Sequence, residues 1–401
     1  MMKSDRVEEI QGLYGPVSVT ERLVQQIWLK QDFHFTDLRS EEGSQITVQD
    51  PGRWNVNEGP DFLGARIHIN GEEFAGDVEI HFYVQDWDIH QHGLNPNFNR
   101  VILHVVLFPL DGKKSSVRTS NGHAPETLVL MPLLDRDLES HAMESALLEL
   151  ESQDIAEWVT DFCFRPLYER ISIVESAATA RWKQKLEFAK KRLKDSTWAE
   201  VCHQSVLEVL GYSRNRTPMS RMALRYPLKE FKALSVDRLF AEEEAAWRLN
   251  GLRPANHPRK RLEQYTMILD ERPDWPDQLL KWASKLPMIQ SPVNTKSFRR
   301  EVGMQSLLDE LGETVFAGAL SSSRLNTICV DALFPLLVAK GGVNVSNYWM
   351  HWFSGDMPEA LRKFLKFSDL VDREYPYANG RLQGALSLTL SRGPGNEDVK
   401  T

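Results

Sequence analysis

Residues able to carry chemistry are concentrated between residues 55 and 104 of the 401-residue chain. Asp61 directly follows a Gly-Pro pair, and Glu79 and His81 lie two residues apart in an alternating segment. Five of the eleven histidines fall in the same stretch, namely His68, His81, His90, His92 and His104. We therefore expect the active site of this protein in this stretch.

Asp61 and Glu79 predict a site for Mg²⁺ or Mn²⁺, because paired carboxylates supply the oxygen ligands that these ions prefer. Such an ion polarises a phosphoryl oxygen and lowers the pKa of a bound water. Glu79 and His81 share one strand face, since side chains alternate along a strand. A neutral imidazole at His81 is then placed to activate the water. The predicted catalytic residues are Asp61, Glu79 and His81, with Asp61 and Glu79 as the metal ligands.

The elements that must position these residues are a helix, a hairpin and a buried strand. Asn70-Gly71 lies between two alternating segments and favours a type I′ turn, because both central residues of that turn need positive φ. Hydrophobic periodicity, together with capping and turn residues, predicts a helix at 19–31, strands at 45–49, 62–69, 72–84, 100–108 and 127–131, and a short helix or turn at 86–92.

A strict two-residue turn creates a conflict at Asp61. It pairs Asp61 with Ile80, which places the Asp61 side chain on the face opposite Glu79. A shared metal site therefore requires an irregularity in the hairpin. Gly64 or Gly76 is the expected position of a β-bulge that restores the parity.

His90 and His92 flank Gln91 and suggest a second kind of site. Together with His81 or His104 they offer the imidazole ligands of a zinc ion. A helix or turn, which we expect here, directs the two rings apart, so a histidine-ligated zinc hydrolase is a further alternative. If Asp61 and Glu79 hold the metal instead, we expect His90 and His92 to contact the substrate and His104 to be a core histidine.

Beyond about residue 134 the β pattern ends and long amphipathic segments begin. Helices are predicted at 136–151, 156–194, 198–210, 236–250, 276–286, 298–311 and 325–340. The expected fold class is an α+β domain at 1–134, with a mixed sheet flanked by helices, followed by an all-α domain at 135–390. Residues 391–401 have the composition of a disordered tail.

The composition restricts the class of protein. Hydrophobic residues make up 42% of the chain, charged residues 26%, and the formal net charge is −8. This excludes a general polycation, so any nucleic-acid contact must come from local clusters such as Lys190, Lys191 and Arg192. Three cysteines exclude a disulfide framework. We expect a cytoplasmic protein that makes no membrane contact; the oligomeric state is not determined by the sequence.

The motif around these residues resembles that of a known enzyme superfamily. Pro60-Asp61, a spacer that contains a β-turn, and Glu79-Ile80-His81 are similar to the signature of the PD-(D/E)XK nucleases. The order helix, three strands, helix, strand is similar to their restriction-endonuclease-like core. The resemblance implies a metal-dependent nuclease that acts on DNA or RNA, with Glu21 as a further acidic metal ligand. The helical domain and Asn57 would then contribute substrate binding.

His81 departs from that motif, which has Lys at this position. A lost Lys also occurs in inactive relatives, so the alternative is a catalytically inactive nuclease-like module that binds nucleic acid or protein. The wider segments GPDFLGARI, GDVEIH, DWDIHQHG and NPNFNRVILHVV resemble an uncharacterised bacterial domain-of-unknown-function family, number 2851. That resemblance brings no established activity and supports the order of elements more than the function.

Overall fold

The structure, a computed structural model, describes residues 21–34, 37–55, 57–108, 117–134, 138, 141–143, 156–249, 252, 254–289, 294–355 and 357–391. The chain divides into a first unit, Val19–Asp135, and a second unit that contains Arg136–Thr401. Most of the predicted helix at 136–151 and nearly all of the predicted tail at 391–401 lie outside the described residues.

The first unit is built on a seven-stranded mixed sheet with flanking helices. Its elements are α1 (Glu21–Lys30), β1 (Leu38–Arg39), β2 (Gln45–Asp50), β3 (Arg53–Trp54), β4 (Phe62–Ile69), β5 (Glu72–His81), α2 (Asp86–Ile89), β6 (Val101–Val106) and β7 (Glu126–Val129). The strand order is β1-β2-β4-β5-β6-β7, and β3 pairs with β4. The β4–β5 pair is antiparallel, whereas β6 runs parallel to both of its neighbours.

The hairpin between β4 and β5 has the predicted turn and the predicted irregularity. Asn70 and Gly71 have φ values of 52° and 87°, as a type I′ turn requires. The register shifts between Phe62 and Ala65, and Gly64 lies within that shift at φ 71°. This β-bulge confirms the expectation for Gly64.

β5 ends at His81, three residues earlier than predicted. Beyond it the backbone N–H of Tyr83 donates to Asp86 Oδ2 at 2.8 Å, which turns the chain into α2. The apolar face predicted for the first helix is confirmed, because Leu23, Val24, Ile27 and Trp28 of α1 are all buried. β6 is largely buried, as its apolar sequence predicts.

The described part of the second unit is helical. Its α-helices are Ala156–Phe164, Leu167–Asp195, Trp198–Leu210, Tyr212–Arg225, Leu228–Lys232, Val236–Glu242, Pro258–Glu271, Trp275–Ala283, Thr295–Glu301, Met304–Thr314, Ser322–Ile328, Phe334–Lys340, Ser346–His351, Glu359–Phe367 and Asn379–Ser391. A π-helical turn at Cys329–Leu333 joins two of them.

Three predicted helices are interrupted, and the helix predicted at 236–250 ends at Glu242, before a 3₁₀ turn at Glu244–Ala246. The helix predicted at 156–194 divides before Leu167 because Pro166 cannot continue a helix from Phe164. The helix at 298–311 divides at Gly303, which has φ 63°. The helix at 325–340 contains the π-helical turn.

One helical stretch in the described residues, Ser322–Lys340, is long and apolar enough to cross a membrane. Most of this stretch is buried inside the protein, and Leu325, Ile328 and Phe334 are part of the largest apolar cluster. Burial of this kind is also expected for the central helix of a packed helical core.

Candidate metal centre

Glu79 and His81 lie on one face at the carboxyl end of β5, where both side chains are nearly removed from solvent. Their residual exposures are 5% and 1%. The sequence predicts the shared face from strand alternation. The neighbouring β6 pairs His104 with Glu79, so a third polar side chain lies on this face.

The bulge at Gly64 brings Asp61 beside Glu79. The Asp61 backbone N–H donates to Glu79 Oε2, and the Ile80 N–H donates to Asp61 Oδ2, each at 3.0 Å. Burial raises the pKa of Asp61 to about 7, with a further increase from the Glu79 charge. Burial also raises the pKa of Glu79 to about 8. Without a neighbouring cation the Glu79 carboxyl therefore favours the protonated form near neutral pH, and the Asp61 carboxyl is about half protonated.

Two histidine side chains, His81 and His92, contact the second carboxylate oxygen of Glu79, and His90 joins them through His81. His81 Nε2 lies 3.1 Å from His90 Nδ1, 3.3 Å from His92 Nε2 and 3.5 Å from Glu79 Oε1. His92 Nε2 lies 3.2 Å from the same Glu79 oxygen. The ligand atoms of His81, His90 and His92 are all within 4.8 Å of one another, a spacing suited to one metal ion.

The expectation that His90 and His92 point apart is wrong, because the helix does not continue through them. α2 ends before His90, and Gln91 adopts a left-handed conformation with φ 60°. His92 then begins a short 3₁₀ turn, and its ring stacks on Phe98 with centroids 3.9 Å apart. The reversal at Gln91 turns both imidazoles toward His81.

His104 is a buried residue, as expected, but it also belongs to the cluster. Its Nε2 lies 2.9 Å from His81 Nδ1. Burial lowers the pKa of His104 to about 3, and burial together with the neighbouring histidines lowers the pKa of His81. Both rings are therefore neutral near pH 7. The contacts between Glu79 and His81 are accordingly not a conventional ion pair.

α1 contributes one predicted and one unpredicted residue to the site. Glu21 is half-buried; burial raises its pKa, and the charges of His90 and Asp61 also act on it. Gln25 donates from Nε2 to Asp61 Oδ1 at 2.8 Å and accepts from Trp54 Nε1 at 3.2 Å. Gln25 was missed from the sequence, although its i,i+4 spacing from Glu21 places both on one helix face.

Other residues singled out from the sequence do not join the cluster. Asn57 is exposed in the loop before Asp61, where its N–H donates to Asn55 Oδ1. The His68 ring instead contacts Gln49, at 3.0 Å. His68 is therefore the one histidine of the five that makes no contact with this group in the described structure.

The basic cluster lies in the helix Leu167–Asp195 of the second unit. Lys190 and Lys191 are exposed there, with Lys190 paired to Glu187 at 2.8 Å. Arg192 is largely buried and holds Glu208 through two hydrogen bonds of 2.9 and 3.1 Å. The guanidinium of Arg192 is thus occupied by an ion pair with the next helix, whereas the two lysines are exposed to solvent.

Comparison with protein families gives a match to the family described as "Protein of unknown function (DUF2851)" over residues 21–240, more than half of the chain. No curated protein matches the sequence, and no solved structure matches it either. The matched residues include the whole cluster around Glu79 and the helix that carries Lys190.

Proposed function

The chain belongs to the DUF2851 family, and since that membership assigns no activity, we propose from the site itself that the protein is a metal-dependent phosphodiesterase acting on DNA or RNA. The observation that carries the proposal is the convergence of the Glu79 carboxylate and the His81 imidazole at the end of β5, with Asp61 alongside. Such a group of buried donors suits a divalent cation better than it suits a protein core.

The order of elements supports this proposal. Apart from the two-residue strands β1 and β3, the elements α1, β2, β4, β5, α2 and β6 follow the order helix, three strands, helix, strand that the resemblance to PD-(D/E)XK nucleases implies. β5 runs antiparallel to β4 and parallel to β6. Asp61 directly precedes β4 and Glu79 lies near the end of β5, and the restriction-endonuclease-like fold is part of the proposal.

The donor atoms fit a divalent cation. Glu79 Oε1 accepts no backbone hydrogen bond in the described structure and faces the imidazoles, while each Asp61 oxygen accepts one hydrogen bond and retains a lone pair. Glu21 adds negative charge nearby. A bound Mg²⁺ or Mn²⁺ would supply charge stabilisation for the phosphoryl group and an acidified water. Asp61 and Glu79 would hold it, and Gln25 would orient Asp61.

The role proposed for His81 is positional. Its side chain is 1% exposed and its pKa is lowered by burial, so it carries no positive charge near pH 7. It cannot replace the cationic Lys of the nuclease motif, and it instead contacts Glu79 and the two outer histidines. The same observation favours the second candidate function, a catalytically inactive nuclease-like module that binds nucleic acid or protein.

Substrate binding is proposed to involve the exposed lysines of the second unit. Lys190 and Lys191 offer charges to a phosphate backbone, whereas Arg192 is held by Glu208. Each lost phosphate contact is expected to reduce the salt dependence of binding by about one unit of slope. Asn57, exposed before Asp61, is a further proposed contact.

A cleavage assay on mixed DNA and RNA with Mg²⁺, Mn²⁺ and Zn²⁺ tests the proposal. Asp61→Asn and Glu79→Gln are expected to lower the rate by roughly 10²- to 10³-fold, as when transition-state charge stabilisation is removed. The matched control is His68→Ala, a histidine of the same unit outside the cluster. Binding without cleavage under every metal condition would instead support the inactive module.

A further inference from the structure

Four ligand atoms lie close together in the cluster, and hydrogen bonds cannot satisfy all of their contacts. The close contacts are His81–His90, His81–His92, His81–Glu79 and His92–Glu79, at 3.1 to 3.5 Å. Each neutral imidazole has one N–H, and His81 has a single Nε2 to serve three neighbours. That nitrogen carries either one N–H or one lone pair, so it can complete a full hydrogen bond with only one of the three.

A single cation removes this conflict, because every donor can then direct a lone pair at it. Ligands of a tetrahedral zinc ion with bonds of 2.0–2.1 Å are separated by about 3.3–3.4 Å. Four of the six ligand-to-ligand separations are available here, at 3.1, 3.2, 3.3 and 3.5 Å. These four contacts have the spacing of ligands around a tetrahedral ion, and the ligand atoms of His90 and His92 lie within 4.8 Å of each other.

The donor types select among metals. Three imidazoles and one carboxylate form a nitrogen-rich set, which suits Zn²⁺, whereas Mg²⁺ requires an octahedral set of oxygens. Both Asp61 oxygens already accept hydrogen bonds from Gln25 and the Ile80 backbone. Asp61 therefore supports Glu79 from behind, through its own backbone N–H at 3.0 Å.

His104 is placed to set the tautomer of His81. Coordination through His81 Nε2 requires the proton on Nδ1, and that atom lies 2.9 Å from His104 Nε2. A protein group of this kind behind a metal-bound imidazole fixes its ring orientation and raises its basicity. His104 Nδ1 is buried and has no hydrogen-bond partner among the described residues, a cost that points to a role beyond packing.

We propose that this protein binds one Zn²⁺ ion through Glu79 Oε1, His81 Nε2, His90 Nδ1 and His92 Nε2, with His104 as a positioning residue behind His81. The inference rests on the site of the proposed phosphodiesterase and replaces Mg²⁺ or Mn²⁺ held by Asp61 and Glu79 with Zn²⁺ held by Glu79 and the histidines. His90 is the exposed ligand, so a water or a phosphate oxygen would approach the ion from its side, as a fifth ligand.

The test is metal analysis of the full chain, produced without a polyhistidine tag, stripped with a chelator and titrated with Zn²⁺ in the presence of millimolar Mg²⁺. One equivalent of Zn²⁺ per chain is expected, and Co²⁺ in its place is expected to give the visible absorption of a tetrahedral ion. A stoichiometry well below one, or Zn²⁺ displaced by Mg²⁺, would overturn the inference.

Variants locate the site. His90→Ala, at an exposed position that tolerates truncation, and His92→Ala are each expected to weaken Zn²⁺ binding by more than about 100-fold, because they remove a ligand and not merely its support. His68→Ala is the matched control and is expected to bind as the wild type does. Zinc binding that all three variants retain would place the ion elsewhere and contradict the proposal.

His104 has its own test. His104→Leu is expected to lower Zn²⁺ affinity by about 10- to 100-fold, and His104→Gln, whose side-chain amide can still accept from His81 Nδ1, is expected to recover part of the loss. Equal losses in the two variants would reduce His104 to a packing residue.

Cleavage and zinc binding are separable outcomes. Stoichiometric zinc without cleavage of any nucleic acid would leave the site assignment intact and refute the phosphodiesterase. Cleavage with Mg²⁺ by a chain that binds no zinc would support the phosphodiesterase and refute the zinc site.

Discussion

His203 in the helical unit and His81 in the sheet unit are both buried, yet their ring nitrogens have different partners. His203 Nε2 lies 3.1 Å from the Tyr226 carbonyl oxygen, which can only accept, so this nitrogen carries the proton. His203 Nδ1 then accepts from the Tyr265 hydroxyl at 2.7 Å. His203 therefore has one acceptor for its N–H and one donor for its lone pair.

His81 does not have this balance. His81 Nε2 lies near three nitrogen or oxygen atoms, those of His90, His92 and Glu79, whereas each ring nitrogen of His203 has one partner. Burial lowers the pKa of both residues, so neither burial nor pKa separates a core histidine from a metal ligand here. The number of heteroatoms around each ring nitrogen does separate them.

The largest expected effect is the loss of His203. His203→Leu leaves the Tyr265 hydroxyl and the Tyr226 carbonyl without their partner, and two buried unsatisfied groups cost about 2–4 kcal/mol of unfolding free energy. Hydrogen exchange of peptides around residues 203 and 265 measures this loss, which we expect to be the same with and without zinc. A zinc-dependent loss would break the distinction between the two histidines.

Acid is expected to weaken the helical unit through the same residue. Burial lowers the pKa of His203 from 6.5 to about 4, so between these values the unfolded chain binds more protons than the folded chain. The contribution is complete above pH 6.5 and falls by up to about 3 kcal/mol as the pH approaches 4. Unfolding of the wild type and His203→Leu across this range measures it; parallel curves would contradict the assignment.

Zinc is expected to stabilise the sheet unit selectively. Free Zn²⁺ at one hundred times its dissociation constant raises the unfolding free energy by about 2.7 kcal/mol when it binds the folded state alone. Hydrogen exchange should show this gain in peptides of β5 and β6, and the gain should vanish in His92→Ala. Equal protection of peptides around His203 would show that zinc acts nonspecifically.

The smallest expected effect concerns the bulge that aligns Asp61 with Glu79. Gly64 and Gly122 have φ values of 71° and 87°, and an added Cβ at either meets no atom within 4 Å. Alanine at each position therefore costs a similar backbone strain of about 1–2 kcal/mol. We expect Gly64→Ala, but not Gly122→Ala, also to weaken zinc binding, since Gly64 sets the register beside Glu79. Equal zinc affinities in Gly64→Ala and Gly122→Ala would show that the bulge does not affect the metal site.

Several features of the site were predictable from local sequence. Alternation along β5 places Glu79 and His81 on one face, and Asn70-Gly71 specifies the turn, because these depend on neighbouring residues alone. The parity conflict at Asp61 pointed to a bulge at Gly64 or Gly76, and the structure has it at Gly64. The convergence of His90 and His92 was not predictable, because it depends on Gln91 adopting positive φ, which a non-glycine residue rarely does.

The helical unit shows the same division. The helix Trp198–Leu210 matches its prediction, since Thr197 and Glu200 form a capping box at its start. Pro166 and Gly303 interrupt helices that the apolar periodicity predicted as continuous. Arg192 carried the same signal as Lys190 in the sequence, and its pairing with Glu208 of the next helix became visible in three dimensions.

By itself, the sequence determined the mixed α and β character of the first unit, the helical character of the second, and the strand face shared by Glu79 and His81. These follow from hydrophobic period and turn chemistry, which act over a few neighbouring residues. The tertiary structure decided which of the polar side chains meet. Residues 79, 92 and 104 come together through the parallel register of β5 and β6 and the reversal at Gln91, and no local preference encodes distances between residues so far apart in the chain.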